Sequence, residues 1–444
     1  MAPVMLPAAG KEVLGAGLMS GTSCDGTSGA LVAFRVVRGK PHTPAVRLLA
    51  LAHVPYPRDV RSFLLRLASG DPAPARDFAR ASELLARWSA RAVSTLLKRA
   101  RVPRRRLSFV GVHGHTLYHG PRDRRSDRWD DLVIPRDRRS DRWDDLVIQR
   151  DHESGRWGGK ATPRDRRSGR WGGFATPHDR PAVTWQACDL PRLAEMSGTT
   201  VVGDFRTRDM AAGGEGAPLA PYAHWVLFTN QDLPRLVLNL GGIANVTWLP
   251  AGARFPDVRA FDTGPGNMLL DLLAARATAG RLNRDEDGRL AARGRVDRRV
   301  LRRLMAHRYF SRRPPKSTGR EEFGRGMLAA FRGLSGPDAL ATATAFTGES
   351  VAGQLGRWLP PAARRATVYA CGGGARNPSL MRALRAALAP RWLLPVDVLG
   401  LPGEAVEPVA FALLARARLL GLPNVMPAVT GARRAVSAGV VVPA

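Results

Sequence analysis

The 444-residue chain has only three cysteines, Cys24, Cys188 and Cys371, far apart and in no CxxC pair. That argues against a disulfide framework and a structural zinc site, and it fits a reducing compartment, so a cytoplasmic protein is expected. No run of about 18 apolar residues occurs, so no helical membrane span and no membrane partner are expected. The first residues lack a basic stretch followed by an apolar one, and no signal peptide is expected there. Neither GxxxxGK[ST] nor a GxGxxG between a strand and a helix is present, so a nucleotide has to be held by another glycine-turn scheme. Acids are scarce: 38 Asp and Glu stand against 68 Lys and Arg, a formal charge of +30. Nearly all of that positive charge is arginine and it is spread along the chain. It fits a nucleic-acid partner, anionic small substrates, or a coding bias that writes Arg for Lys. No basic stripe is interleaved with aromatics as single-strand binding requires, so no nucleic-acid partner is expected.

Apolar residues make up 44% of the chain, ample for packed cores, and the length exceeds one comfortable core. Residues 12–55 hold three strand-like runs, "EVLGAGLM", "GALVAFRVV" and "RLLALAHVPY". A helix is predicted over "ARDFARASELLARWSARAVSTLLKRA", where Phe78, Leu84, Leu85, Trp88, Ala92 and Leu96 fall close to helical spacing. A buried-type strand, "LSFVGVHGHT", follows, and this order suggests a mixed sheet covered by helices. A similar order returns in "RLVLNLGGIANVTWLP", "VRAFDTGPGNMLLDLLAARA" and "ATVYACGGGARNPSLMRALRAAL". Glycine turns thus sit at strand ends in both halves. Two such lobes facing each other make a cleft for a nucleotide, whose phosphates need backbone N–H donors and helix N-termini.

Between 121 and 176 a 14-residue unit repeats: "PRDRRSDRWDDLVI" occurs twice without change, followed by two diverged copies. Known solenoid units are longer, roughly 20–50 residues. Each copy has one Trp, few aliphatics and many Arg and Asp, which predicts an exposed, poorly ordered insertion. Residues 122–180 carry sixteen Lys and Arg against twelve Asp and Glu, a net of +4, so they do not account for the charge of the chain.

The stretch "GLMSGTSCDGTSGALV" (17–32) reads as strand, tight turn, strand, with small residues and hydroxyls that let a ligand approach the backbone and an acid, Asp25, beside them. With "VHGHTLYH" (112–119), "TVVGDFRTRDMAAGGEGAPLAP" (200–221), "LNLGGIANVT" (238–247), "FDTGPGNMLLD" (261–271), "RDEDGRLAARG" (284–294), "PPKSTGREEFG" (314–324), "CGGGARNPSLM" (371–381) and "AVTGARRAV" (428–436), it forms an ordered set of motifs. The set resembles anhydro-N-acetylmuramic acid kinases, members of the sugar kinase/Hsp70/actin superfamily. The resemblance implies an α/β, two-lobed actin-like ATPase (ribonuclease H-like) fold, with a central cleft between duplicated mixed-sheet domains. It places an N-terminal lobe at 1–120, the repeats at 121–181, a C-terminal lobe at 182–424, and a segment 425–444 that returns to the first lobe. It implies ATP and Mg²⁺ as cofactors, an anhydro amino sugar as substrate, and a homodimer as one oligomeric state. The activity implied is hydrolytic opening of the 1,6-anhydro ring with phosphorylation of O6, giving N-acetylmuramic acid 6-phosphate for peptidoglycan recycling. Alternatives are a kinase of the same superfamily acting on another sugar or small acid, and an inactive relative that serves as a binding protein.

The resemblance also assigns residues. Asp204 matches the catalytic aspartate; the alternative is a helix N-cap or an ion pair with Arg206 or Arg208. Asp209 reads as structural. Gly21, Thr22, Ser23, Cys24, Asp25 and Gly26 match the phosphate loop, with Asp25 contacting the metal through water. Such kinases usually carry an aliphatic residue at Cys24 and an acid at Ser28. Gly241, Gly242 and Asn245 match a second phosphate-facing turn, and Asp262, Gly264, Gly266 and Asn267 a third, with plain turns as the alternative. Gly372, Gly373 and Gly374 match the adenosine motif; Asn377 either caps the next helix or touches the nucleotide. His113, His115 and Thr116 match a sugar-facing segment in which His115 stands for the usual Gln, and His113 has a structural alternative. Lys316, Arg320 and Glu321 are assigned to the acetamido or lactyl group of the sugar, with surface charge as the alternative.

Overall fold

The continuous apolar runs of the first 55 residues form strands where the sequence predicts them. The computed structural model describes residues 12–21, 24–37, 39–70, 72–120 and 183–444, and its first strands are β1 (Glu12–Ser20), β2 (Gly26–Val37) and β3 (Lys40–Pro55). Helices α1 (Arg58–Ala68) and α2 (Ala75–Ala100) follow. Helix α2 starts behind Pro74, ends at Arg101 in the left-handed conformation, and buries Leu85, Val93 and Leu96. The first half continues with β4 (Leu107–His113), β5 (His115–Gly120), β6 (Val183–Ala187), α3 (Leu190–Ser197), β7 (Val201–Gly203), α4 (Phe205–Ala211) and α5 (Pro221–Phe228). The second half comprises β8 (Arg235–Leu240), β9 (Ile243–Leu249), β10 (Arg259–Pro265), α6 (Asn267–Ala277), α7 (Arg298–Met305), α8 (Arg320–Phe323), α9 (Gly336–Trp358), β11 (Thr367–Cys371), α10 (Pro378–Leu388) and β12 (Leu393–Pro395). The chain then runs through α11 (Val406–Leu419) and α12 (Pro427–Thr430) to β13 (Val440–Val442).

The strands form two main sheets with one plan. The first has the order β13-β7-β4-β1-β2-β3, the second β10-β9-β8-β11-β12. In each, the first three strands in sequence pair antiparallel and the next two continue parallel to the first. Counted in sequence order, both sheets read third, second, first, fourth, fifth, and β13 adds an edge to the first. This is the duplicated, ribonuclease H-like α/β arrangement that the sequence leads one to expect.

The expected lobe boundary at 182 does not coincide with the change of sheet. Strand β7 lies beside β4, β13 pairs antiparallel with β7, and the second sheet begins only at Arg235. Helix α11 also packs on β1, β2 and β4 of the first sheet. A three-residue strand has too few side chains to declare its sheet, so its neighbours decide. The repeats, and the expectation made for them, lie outside the described residues.

Side-chain alternation sorts the core. In the first sheet Val110 and Val112 join the cluster under α2 and α3, whereas Phe109 faces α5 and α11. In the second, Leu236, Leu238 and Leu240 face α6, α9 and α10, whereas Val237 joins the layer with α5 and α11. Period two in a strand produces this sorting. One layer, containing α5 and α11, therefore touches both sheets. Its closest approach depends on glycine: a Cβ on Gly17 would lie 1.8 Å from the Pro408 carbonyl oxygen, and one on Gly111 2.2 Å from that of Phe411. Among the described residues no helix is long and apolar enough to cross a membrane.

Candidate active site

Parallel strands end on the same side of their sheet, and ligands of open α/β sheets bind beyond those carboxyl ends. In the first sheet β1 ends at Ser20, β4 at His113 and β7 at Gly203, with Met19 opposite His113 and Gly111 opposite Val202. The 21–25 loop, the histidine segment and Asp204 are therefore brought to one edge. In the second sheet β8 and β11 run parallel with Asn239 opposite Cys371, so Gly241–Gly242 and Gly372–Gly374 share an edge. The two edges face each other: Asp271 on α6 lies in the field of Asp25 and Arg61, and Arg206 in that of Asp262. Arg320, half-buried on α8, donates to the Ala68 carbonyl at the end of α1, 3.4 Å away, and lies close enough to Cys24 and His115 to influence both.

Asp204 occupies the N-cap of α4 in a left-handed conformation, φ 51°. Asp tolerates this region better than most residues, and backbone strain of this kind gathers at functional sites. Its side chain makes no cap hydrogen bond; Oδ1 accepts instead from the Thr207 hydroxyl at 2.5 Å. Arg206 turns away from it and donates to His113 Nε2 (3.0 Å) and the Gly216 carbonyl (2.7 Å). Burial lowers the Arg206 pKa to about 10 and, with the guanidinium beside it, pushes that of His113 far down. His113 is thus a neutral acceptor toward Arg206, and its buried Nδ1 is without a protein partner. Asp209 is fully buried; its carboxylate accepts from the Gly216 amide (2.6 Å) and the Thr430 hydroxyl (2.7 Å), which fixes the 213–216 glycine loop against α12.

In the second half the glycine turns interlock. The Gly241 and Gly242 carbonyls accept the Asn267, Gly266 and Met268 amides, so they hold the start of α6. A Cβ on Gly266 would lie 2.3 Å from the Gly241 oxygen. Gly264 has φ 139° and Gly372 φ 82°, backbone that a side chain would strain. Gly373 and Gly374 open the turn toward α10, where Asn377 Oδ1 accepts the Leu380 amide as a helix cap. Asp262 is buried, opposite Asn245 in register, and its Oδ2 accepts the Thr318 amide at 2.9 Å. Asn245 Oδ1, Ser317 Oγ and Thr318 Oγ1 are buried without a protein partner, which suits a polar ligand.

Lys316, assigned to the sugar or to surface charge, is buried, and its Nζ donates to Gln354 Oε1 (2.5 Å) and the Tyr309 carbonyl (3.3 Å), over the Tyr309 ring. Burial lowers its pKa to about 7. His115 is fully buried, and its ring nitrogens meet Ser20 and Cys24 rather than an open surface. Ser28, at the position of a missing acid, pairs through its hydroxyl with His53 Nδ1 at 3.1 Å. Thr116 is half-buried on β5, opposite Gln186 of β6. Thr22, Ser23 and the Glu321 side chain lie outside what is described.

Sequence reasoning missed Asp271, although its motif ends on it. Burial raises its pKa to about 7, Arg284 and Arg61 oppose the shift, and Asp25 adds to it. The signal was available: four residues into α6, Asp271 follows a helix start that faces the glycine turns. A folded-state pKa above the ordinary 3.8 means that the folded protein binds more protons between pH 4 and 7, so stability falls as pH rises through that window. Asp271→Asn is therefore expected to raise Tm by about 2 °C or more at pH 8 and to make no difference below about pH 4. Calorimetry without nucleotide checks this; equal Tm values at pH 8 would refute it. Asp25 is exposed, and among the described residues no cluster of three or more His, Cys, Asp or Glu could hold a metal. The exposed Asp25 carboxylate is a hard oxygen donor of the kind Mg²⁺ takes, one or two carboxylates together with phosphates and waters.

A family model described as Anhydro-N-acetylmuramic acid kinase matches residues 13–128 and 174–444, leaving most of the repeat region aside. An anhydro-N-acetylmuramic acid kinase of Gloeobacter violaceus is 37% identical over 435 residues, 97% of this chain and 99% of its own length. One of Caldanaerobacter subterraneus is 33% identical, covering 97% of this chain and 96% of the relative, and one of Burkholderia thailandensis 38% identical, covering 94% of each. The chain belongs to the anhydro-N-acetylmuramic acid kinase family.

Proposed function

We propose that the protein is a cytoplasmic, ATP-dependent kinase of 1,6-anhydro-N-acetylmuramic acid that adds water across the anhydro bridge and phosphorylates O6, giving N-acetylmuramic acid 6-phosphate for peptidoglycan recycling. The observation that carries this reading is Asp204: a carboxylate in a left-handed cap, at the same strand-end edge as the 21–25 loop, in a chain of this family. Its Oδ atoms take the proton from a water aimed at C1. As the C1–O bond to water forms, the bridging C1–O6 bond breaks, and the released O6 attacks the γ-phosphorus of ATP, with ADP leaving. Phosphoryl transfer is mainly positioning and charge stabilisation. The backbone around Gly21–Gly26 and Gly241–Gly242 holds the phosphates, Gly372–Gly374 lets the adenosine lie against bare backbone, and Arg320, Thr116 and the unpartnered Nδ1 of His113 serve the sugar. Asp25 and Asp271 would hold Mg²⁺, which supplies neutralising charge to the phosphate oxygens.

The test is incubation with the anhydro sugar, ATP and Mg²⁺ in ¹⁸O-water, followed by mass spectrometry. The expected product is heavier than the substrate by phosphate plus one labelled water, with the label on C1 and none in the phosphate. Phosphorylation of other sugars in preference, or no product at all, would overturn the reading.

A further inference from the structure

The departure at His115 is matched by one at Cys24, 91 residues earlier, and the two side chains meet. Cys24 Sγ lies 3.1 Å from His115 Nε2, and Ser20 Oγ lies 3.2 Å from His115 Nδ1. Ser20 is the last residue of β1, where the 21–25 loop departs, and Cys24 stands near the point where the chain enters β2. One imidazole thus joins the two ends of the loop. Each neutral tautomer satisfies both contacts: one nitrogen donates and the other accepts, and the thiol and hydroxyl can each do either.

The network continues inward. The Tyr56 hydroxyl donates to Ser20 Oγ at 3.0 Å and lies 2.8 Å from Thr27 Oγ1. Cys24, His115, Ser20, Tyr56 and Thr27 are all buried. Cys24 itself is strained: it has φ 49° without being glycine, a conformation that persists only when its surroundings over-determine it. Two backbone bonds help, Cys24 N to the Gly21 carbonyl and Tyr56 N to the Asp25 carbonyl, both 3.1 Å. Among the described residues, the side-chain hydrogen-bond partner of Cys24 is His115.

We propose that His115 is a positioning residue for the phosphate loop, stapling Ser20 to Cys24 and so holding Cys24 in its left-handed turn, and that it does not touch the sugar. This rests on the reading of 20–26 as the phosphate loop. Because the staple sets a backbone that receives phosphate, its loss weakens nucleotide binding and leaves sugar binding alone. Glutamine, with a donor and an acceptor on one amide, can replace it; alanine cannot.

The experiment measures the Kd of a non-hydrolysable ATP analogue with Mg²⁺ by calorimetry, and the KM of the sugar at saturating ATP. The variants are His115→Ala, His115→Gln, Cys24→Ala, the double alanine variant and Asp25→Ala. His115→Ala is expected to weaken the analogue about 10-fold, as expected when two buried hydrogen bonds are lost, with sugar KM unchanged. His115→Gln is expected to recover most of that affinity. The double variant is expected to be no weaker than His115→Ala alone, since both remove one contact. A rise in sugar KM with unchanged nucleotide affinity overturns the proposal in favour of a sugar contact, and strict additivity of the two alanine variants also overturns it. Should His115→Ala fail to fold, Cys24→Ala carries the same test from the other end of the staple. Nucleotide affinity lost in Asp25→Ala but kept in His115→Ala sinks the staple alone; affinity kept in both sinks the phosphate-loop reading beneath it.

Discussion

Asp204→Asn is expected to lower kcat by about 10²- to 10⁴-fold, the range over which a positioned base contributes. The substitution isolates proton acceptance. Asparagine is as much at home as aspartate at φ 51°, so the α4 cap should hold its shape. Its Oδ1 can still accept from the Thr207 hydroxyl, the one side-chain bond that Asp204 makes among the described residues. What disappears is an oxygen able to take the proton of the attacking water. Nucleotide affinity, assigned in the proposed function to glycine turns on other strands, should be unchanged. Asp204→Ala is the harsher control, because it also removes the Thr207 contact and the tolerance of a left-handed backbone. Steady-state kinetics and nucleotide binding check both. A variant that keeps more than about a tenth of the parent rate would show that Asp204 is not the base.

Gly17→Ala is expected to be among the most damaging single-methyl changes the chain can suffer. The added Cβ would lie 1.8 Å from the Pro408 oxygen and 2.7 Å from the Ala412 nitrogen, and both are backbone atoms of α11. A flexible side chain could swing aside; a helix packed between two sheets cannot. Overpacking typically costs about 1–3 kcal/mol, and a collision with a helix backbone belongs at or above the top of that range. A Tm loss of roughly 6 °C or more follows. Gly356→Ala is the control, since its Cβ meets nothing within 4 Å in the last turn of α9. That variant should be unchanged or gain about 0.5–1 kcal/mol from the better helix former. If Gly17→Ala melts with the parent, α11 is not seated on β1 as described.

The sequence revealed local features and concealed those made by distant partners. Helix α2 was legible over its full length because its apolar residues keep one face. Strands β1 to β3 and the glycine turns were legible because each is written in contiguous residues. The sheet to which β7 belongs was not, since the pairing of Val202 with Gly111 and Val441 is settled by residues far away. Lys316 read as a surface cation or a carboxylate ligand. The aromatic and amide partners that bury it, Tyr309, Gln354 and Trp358, come from two other segments. Cys24 and His115 were each visible as departures, but 91 residues of intervening chain hid that they are partners.

The pairing of β13 with β7 sets a timetable for synthesis. Val201–Gly203 leaves the ribosome with its outer edge bare, and the strand that covers it, Val440–Val442, is translated 239 residues later. At about 5–20 residues per second, that edge waits roughly 12–50 s. The second sheet can form in the interval, but α11 and the last strand must then be threaded onto a first sheet made long before. The first half of the chain is therefore committed early and completed last, and an unpaired strand edge is the place where a nascent chain invites the wrong partner. Ribosome-bound chains halted before residue 440 should be cut near β7 by added protease, and chains released past 444 should resist; equal protection in both would mean that β7 is covered without β13.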